Sequence, residues 1–281
     1  MIGSTNCGKV NSKYEQLVNY QMLYDGSLGE SGENGANVCS DVTGGFSKMV
    51  SFGSADLTYN SDNMMIKNTD ILDNNSALMV NNSIDLTDYK LLCGLATPIS
   101  DKQGSNNCHI TTAIHVRNNK GYGNAGVPDT SSVDKATDNT TVSNTINTEF
   151  LGTKFMYDCD VNNLDGGYPC FENYCMTLEY SSVKVYSMYL VKGDNWQELC
   201  TIAGLDQSNF ADENALCSDN IAITTILNNE KAVNFMIYNC TGTFMYYFIR
   251  NSNCLTALNN NQYKTIIMAN EHWAKFLNMV A

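Results

Sequence analysis

The chain has 281 residues, of which 43% are hydrophobic, so it is long enough for more than one domain and able to bury a sizeable core. Its 29 acidic residues outnumber its 16 basic ones and give a formal charge of -13, which repels the phosphates of nucleic acids and anionic membranes. No segment approaches the ~18 apolar residues of a membrane-spanning helix. We therefore expect neither a nucleic acid nor a membrane as partner.

Residues 1–38 are predicted to form an N-terminal arm, and residues 39–200 an antiparallel, jelly-roll-like β-sandwich. Short apolar stretches separated by clusters of Asn, Asp, Gly and Ser are typical of such sheets. These stretches are residues 49–52, 64–66, 77–80, 91–95 and 110–116. The whole chain is therefore predicted to be α+β, with the sandwich followed by a C-terminal array of short helices over residues 201–281.

The apolar segment VKVYSMYLV at residues 183–191 is predicted to be an inner strand, because both of its faces are largely apolar. The following KGDN at residues 192–195 indicates a turn, with Trp196 starting the second strand of a last hairpin. Apolar side chains become rare at residues 118–144, which predicts a long exposed loop. This loop is the first choice for a contact surface, and a solvated linker without a partner is the alternative.

One acidic stretch suggests a metal site. The segment DCDVNNLDGG places Asp158, Asp160, Asn162 and Asp165 at short intervals, and calcium prefers such oxygen ligands. The stretch departs from an EF-hand loop at its glycine and glutamate positions, so an Asx-rich turn before the next strand is the alternative. No other cofactor is predicted.

The sequence predicts no catalytic residue. His109, His115 and His272 are the only histidines, and the first two would share one face of a strand at about 20 Å, too far apart for a joint metal site. Sequence motifs of serine hydrolases, zinc proteases and phosphate-binding loops are absent. The protein is therefore expected not to be an enzyme.

Eleven cysteines are scattered without a C-x-x-C pair, which argues against a zinc or redox motif. Most are expected to be buried as small hydrophobic residues. One or two disulfides are the alternative, with Cys170 and Cys175 as the nearest pair in the sequence. The N-terminus also lacks the apolar stretch of a signal peptide.

From Ser218 onward the sequence repeats about every ten residues, each block opening with polar residues, mostly Asn and Ser, and continuing with apolar residues at helical spacing. Short helices that stack on one another are predicted, with a β-meander as the alternative for residues 218–249. Trp273 is expected to pack against Tyr263 and Ile267. The apolar run at residues 244–249 is too continuous for one helix face, which predicts contact with another subunit in a trimer or ring.

Several sequence segments resemble segments of tail and appendage proteins of tailed phages that infect gut Firmicutes. They are MIGSTNCGKV at the start, CSDVTGGF at residues 39–46, NSIDLTDYKLL at residues 82–92, and the run from NCTGTFMYYFI to NEHWAKFLNMVA. The I-D-L-T-x-Y phrase is also similar to galactose-binding-like β-sandwich modules of bacterial surface proteins. The resemblance implies a non-enzymatic virion component, made in the host cytoplasm, that assembles with itself and other virion proteins and contacts the host surface.

The alternative function is that of a carbohydrate-binding adhesin module. Aromatic side chains that stack on sugar rings would then be exposed, and the candidates are Tyr122, Tyr168, Tyr174 and Trp196. The two functions overlap, because a tail appendage that contacts a host would meet host glycans.

Overall fold

A computed structural model describes residues 19–26, 37–50, 54–69, 74–100, 109–118, 140–143, 153–160, 164–175 and 181–274. They form two compact units. The first contains the described residues of Gln21–Leu190, and the second contains those of Val191–Ala281 together with Asn19 and Tyr20. The division follows Leu190 instead of residue 200, because the helix that begins at Trp196 belongs to the second unit.

The described part of the first unit contains one short helix, α1 (Ser40–Thr43), and twelve strands. The strands are β1 (Tyr20–Asp25), β2 (Phe46–Val50), β3 (Ala55–Tyr59), β4 (Met64–Asn68), β5 (Asn74–Val80), β6 (Ile84–Asp85), β7 (Tyr89–Ser100), β8 (His109–Arg117), β9 (Thr140–Ser143), β10 (Thr153–Asp158), β11 (Gly166–Cys175) and β12 (Ser181–Lys192).

These strands form two sheets and confirm the predicted antiparallel β-sandwich. The first sheet has the order β10-β7-β12-β4-β3, with β1 also paired to β12. The second has the order β2-β5-β11-β8-β9, with β6 also paired to β11. Strand β1 lies within the predicted arm and nevertheless belongs to the first sheet. Strand β12 is an inner strand, as residues 183–191 predict.

The core lies between the sheets, because apolar residues alternate along the strands and point inward. In the first sheet, Met64 and Ile66 of β4 are fully buried, and in the second Ile114 and Phe171 are buried with them in one cluster. Gly94 of β7 leaves room for the Phe171 ring, since a Cβ at Gly94 would lie 2.5 Å from that ring. The absence of a side chain at Gly94 thus lets the Phe171 ring of the second sheet approach strand β7 of the first sheet.

From Trp196 onward the described part of the second unit consists of short helices and their connections, which confirms the predicted array of short helices. Its helices are α2 (Trp196–Ala203), α3 (Glu213–Ser218), α4 (Asn220–Leu227), α5 (Glu230–Asn239), α6 (Thr243–Arg250), α7 (Ser252–Asn259) and α8 (Lys264–Ala269). The β-meander alternative for residues 218–249 is therefore wrong. No helix among the described residues is long and apolar enough to span a bilayer.

The ten-residue spacing is a spacing of helix caps. Asp219, Asn229 and Asn251 each accept two backbone N–H hydrogen bonds at the start of α4, α5 and α7. Asn270 accepts in the same way from the backbone of the next block. An Asx side chain at the N-cap satisfies backbone donors that a helix leaves unpaired, and it fixes where each helix begins.

Three consecutive helices each pack on the third helix before them, as in a solenoid with three helices per turn. Helix α5 packs on α2, α6 on α3, and α7 on α4. The starting residues of these pairs are Trp196 and Glu230, Glu213 and Thr243, and Asn220 and Ser252, so packing partners lie about 30 residues apart, a usual repeat length. The ten-residue block is therefore one third of the structural repeat.

Two local predictions are wrong, and the premise of a third is not met. Trp196 starts helix α2 instead of a second hairpin strand, and residues 140–143 of the predicted loop form β9, paired with β8. Residues 119–139 of that loop lie outside the described residues. The run at residues 244–249 lies within helix α6, and its side chains are buried within the chain except for the half-buried Tyr247. Helices α3 and α7 pack against α6.

Candidate functional sites on the sandwich

A charged cluster lies on the face of the second sheet that points away from the core. On β11, Cys170 and Glu172 flank the core residue Phe171. On β8, His115 and Arg117 flank the core residue Val116. In the register of the two strands Cys170 stands opposite His115. The four polar side chains therefore share one face.

Within the cluster one carboxylate oxygen binds both basic groups. Glu172 Oε2 lies 2.6 Å from His115 Nε2 and 2.8 Å from Arg117 Nη1. The Cys170 Sγ donates to the His115 carbonyl oxygen at 3.5 Å. All four side chains are buried, with no more than 2% of their surface exposed. Charges this deep are stable only when paired.

Burial and neighbouring groups act in opposite directions on His115. Burial by itself lowers the pKa of an imidazole. The Cys170 sulfur and the Glu172 carboxylate beside the ring outweigh burial and raise the pKa of His115 from 6.5 to about 10. His115 is therefore protonated at neutral pH in this arrangement, and the pair with Glu172 is an ion pair.

Sequence reasoning missed this cluster. Its only local signals are H-x-R at residues 115–117 and C-x-E at residues 170–172, which put each pair on one face of a strand. The pairing of β8 with β11 joins residues about 55 positions apart, and no local signal in one sequence fixes such a register.

A second candidate site is a cleft of about 540 Å³ between β2 and β3, which are edge strands of opposite sheets. Its lining combines apolar and polar side chains: Phe46, Leu57 and Tyr59 with Ser47, Lys48, Asp56 and Thr58. The volume falls within the range of small-molecule sites in proteins.

Hydrogen bonds hold the cleft in place. The Tyr59 hydroxyl donates to the Phe46 carbonyl at 3.1 Å and so ties β3 to β2. Lys48 Nζ donates to the Ala55 carbonyl at 2.5 Å and lies 3.9 Å from Asp56 Oδ1. The Lys48 and Asp56 side chains remain 47% and 72% exposed, so both can also contact a ligand.

The residues predicted to bind calcium lie around the connection from β10 to β11. Asp158 ends β10, Asp160 follows in a turn, and Asp165 precedes β11. Asp160 lies 3.5 Å from the Lys90 ammonium, and Asn162 lies outside the described residues. Within the described ranges, three ligand-type side chains converge at a different place, His115, Cys170 and Glu172. Calcium binding stays a prediction.

The aromatic residues predicted to stack on sugars are dispersed. Trp196 is buried in helix α2 with 5% of its surface exposed, so it cannot stack on a ligand. Tyr168 is half-buried and packs beside Cys170 on the outer face of the second sheet. The structure does not describe Tyr122 or the side chain of Tyr174. Tyr59, which lines the cleft, was not among the candidates.

The cysteines agree with the expectation of buried thiols. Seven of them are unbridged and buried: Cys93, Cys159, Cys170, Cys200, Cys217, Cys240 and Cys254. Cys39 is disulfide-bonded, and its partner is none of these seven. The suggested pair of Cys170 and Cys175 is wrong, because both lie on β11, where five residues span about 16 Å.

Neither a scan against protein-family models nor a search of curated proteins finds a match. Similar solved structures include a carbohydrate-binding module of the β-sandwich superfamily, with 9% identity, a TM-score of 0.35, and coverage of 61% of this chain and 62% of that one. A family 29 carbohydrate-binding module has 11% identity and a TM-score of 0.32, with 61% and 86% covered. The glycoside hydrolase domain of Endo-D from Streptococcus pneumoniae has 8% identity and a TM-score of 0.32, with 52% and 21% covered. Likenesses this distant carry no argument about ligand or activity.

Proposed function

We propose that the first unit is a non-enzymatic carbohydrate-binding module whose ligand occupies the cleft between β2 and β3. The observation that carries the proposal is the mixed lining of this cleft. Sugars present apolar C–H faces and hydroxyl edges, so a sugar site needs apolar surface beside a few convergent polar groups. Tyr59 and Leu57 supply the first, and Lys48, Asp56 and Thr58 supply the second.

The charge of the cleft favours a neutral glycan. Lys48 and Asp56 are its charged side chains and cancel each other, while the chain as a whole has a formal charge of -13. A uronic acid or a sulfated sugar would meet repulsion from the whole protein without a net positive site to offset it.

The test is calorimetric titration of the full chain with neutral polysaccharides and, for comparison, with pectin and heparin. Lys48→Ala and Asp56→Ala each remove a group that hydrogen-bonds a hydroxyl. A hydrogen bond to a charged group contributes about 1.5 to 3 kcal/mol, so binding should weaken by roughly 10- to 150-fold. The matched controls are Lys90→Ala and Asp160→Ala, which break another exposed ion pair of the same unit and should leave affinity unchanged.

Equal affinity of the cleft variants and the controls would contradict the proposal, and so would the absence of binding to every glycan. New reducing ends in a bound glycan would contradict the non-enzymatic part.

A role in a phage virion remains a prediction without support from the structure or from the similar proteins. Self-association remains a proposal too, although the run at residues 244–249 no longer motivates it. The observation that favours it now is the exposure of Ile221 and Tyr238, at 79% and 74%. These exposed side chains are surface that contact with another subunit would bury.

A further inference from the structure

Three side chains of different chemistry converge on the outer face of the second sheet. One ligand-type atom from each of His115, Cys170 and Glu172 lies within 4.8 Å of the other two. Together they offer an imidazole nitrogen, a sulfur and a carboxylate oxygen. This nitrogen, sulfur and oxygen set suits Zn²⁺ and related divalent transition metals and does not suit calcium or magnesium.

The backbone fixes these side chains firmly. Strand β11 pairs with β5 on one side and β8 on the other, and β8 pairs with β11 and β9. Cys170 and Glu172 are two residues apart on β11, and His115 stands directly across from Cys170. The ligand atoms are therefore positioned by inner strands and not by loops, which is the placement that holds a site with precision.

We propose that His115, Cys170 and Glu172 are three ligands of a Zn²⁺ site built into the sandwich. Ligand atoms of a tetrahedral zinc lie about 2.0 to 2.3 Å from the ion and hence about 3.3 Å or more from each other. The 2.6 Å contact between His115 Nε2 and Glu172 Oε2 opens by less than about 1 Å to reach this separation. Alternatively His115 binds through Nδ1, which is buried and has no hydrogen-bond partner among the described residues.

Metal binding follows a balanced exchange. The incoming Zn²⁺ takes the place of the Cys170 thiol proton and of the proton on the ligating His115 nitrogen, and both are released to solvent. The exchange of two protons for a dication leaves the charge of the buried cluster unchanged. Because the site is buried, the ion enters during folding and leaves slowly.

Arg117 is a positioning residue in this site. Its guanidinium donates to Glu172 Oε2 at 2.8 Å and is itself 1% exposed. Groups that hydrogen-bond a ligating carboxylate orient it, and their loss commonly weakens metal affinity by about 10- to 100-fold. Arg117→Gln should therefore keep the coordination sphere but lower the affinity in that range.

The experiment uses the untagged full chain, expressed with zinc or with cobalt in the medium. Elemental mass spectrometry should find a single zinc ion per chain after extensive dialysis, and the cobalt form should show a thiolate-to-cobalt charge-transfer band. Cys170→Ser should lose both signals. The control Cys93→Ser changes a buried, unbridged cysteine of the other sheet in the same way and should keep them.

If Cys170→Ser does not fold, X-ray absorption spectroscopy of the wild-type zinc form identifies the ligand atoms around zinc without a variant. The expected coordination sphere has one sulfur and otherwise nitrogen or oxygen. Zinc at background level, a spectrum without sulfur, or a charge-transfer band that survives in folded Cys170→Ser would each overturn the proposal. The cluster would then be a buried ion-pair network without metal. Glycan binding in the cleft is measured separately, so the outcome of the zinc experiment does not affect the proposed carbohydrate-binding function.

Discussion

Helix α6 provides a sharp test of how the solenoid is held together, because its cap comes from far away in the sequence. Gly242 occupies its N-cap position, where a Cβ would lie 2.3 Å from the Lys192 carbonyl oxygen, so no side chain fits there. Asp194 Oδ2 takes over this role and accepts from Gly242 N at 3.0 Å and Phe244 N at 2.9 Å. The start of α6 thus has a different capping arrangement from the starts of α4, α5 and α7.

We expect Asp194→Ala to destabilise the second unit by about 3 to 6 kcal/mol. The variant leaves two buried backbone donors without their charged acceptor, and each such hydrogen bond contributes about 1.5 to 3 kcal/mol. Asp219→Ala is the matched control, because Asp219 also accepts two backbone N–H groups but caps an exposed helix start. An ordinary N-cap of this kind is worth about 1 kcal/mol.

Urea unfolding followed by tryptophan fluorescence measures this effect, because both tryptophans, Trp196 and Trp273, lie in the second unit. A change of midpoint at constant slope reports the change in stability. Asp194→Asn keeps an acceptor without the charge and should lose less than Asp194→Ala. The reasoning is refuted if Asp194→Ala costs no more than Asp219→Ala, or if Gly242→Asn restores the stability that Asp194→Ala loses.

Three further predictions concern the core of the solenoid, the charged cluster and assembly. Trp273→Ala should destabilise the second unit by about 3 to 5 kcal/mol in the same urea titration, because the indole is fully buried edge-on to Phe244 and Phe248. A loss of stability below about 1 kcal/mol would contradict this packing. The raised pKa of His115 should make the metal-free protein, refolded with a chelator, most stable below pH 6.5 and less stable as the pH rises through about 10. Urea titrations across this pH range measure the effect, and His115→Gln should remove the pH dependence. If the chain self-associates through its helical unit, light scattering should show the assembly dissociating in Ile221→Asp and persisting in Thr224→Asp, which changes another exposed position of the same helix.

The sequence predicts features of this protein that depend on neighbouring residues and misses those that depend on distant ones. Asp219, Asn229 and Asn251 mark helix starts, because capping involves only the next few residues. Trp273 was rightly expected to be buried, but its aromatic partners are Phe244 and Phe248 of α6. The packing of α5, α6 and α7 on the third helix before each of them depends on crossing angles that one sequence does not reveal.

The same limit explains the two candidate sites. The zinc proposal depends on the register of β8 against β11, and the cleft depends on which strands end up at the sheet edges. The segment KGDN at residues 192–195 was misinterpreted for a related reason: Asp194 has a turn-forming side chain, but its hydrogen bonds go to α6, about 50 residues later. The helix after it had its own signals, Glu198 in the first turn and Gly204 at the left-handed C-cap.

In the helical unit, the hydrogen bonds that cap helices and the contacts that pack helices together act over different distances in the sequence. Its caps are mostly local, since the side-chain oxygens of Asp219, Asn229 and Asn251 accept from the backbone of their own helices, and the Asn229 amide in addition donates to the Ile202 carbonyl of α2. Its most extensive helix–helix contacts are made about 30 residues apart, between a helix and the third helix before it. Losing a local cap shortens one helix, whereas losing a buried side chain such as Trp273 separates turns of the solenoid. Asp194 belongs to both kinds, because it is a cap whose partner lies on another segment, and for this reason its replacement should have the larger effect.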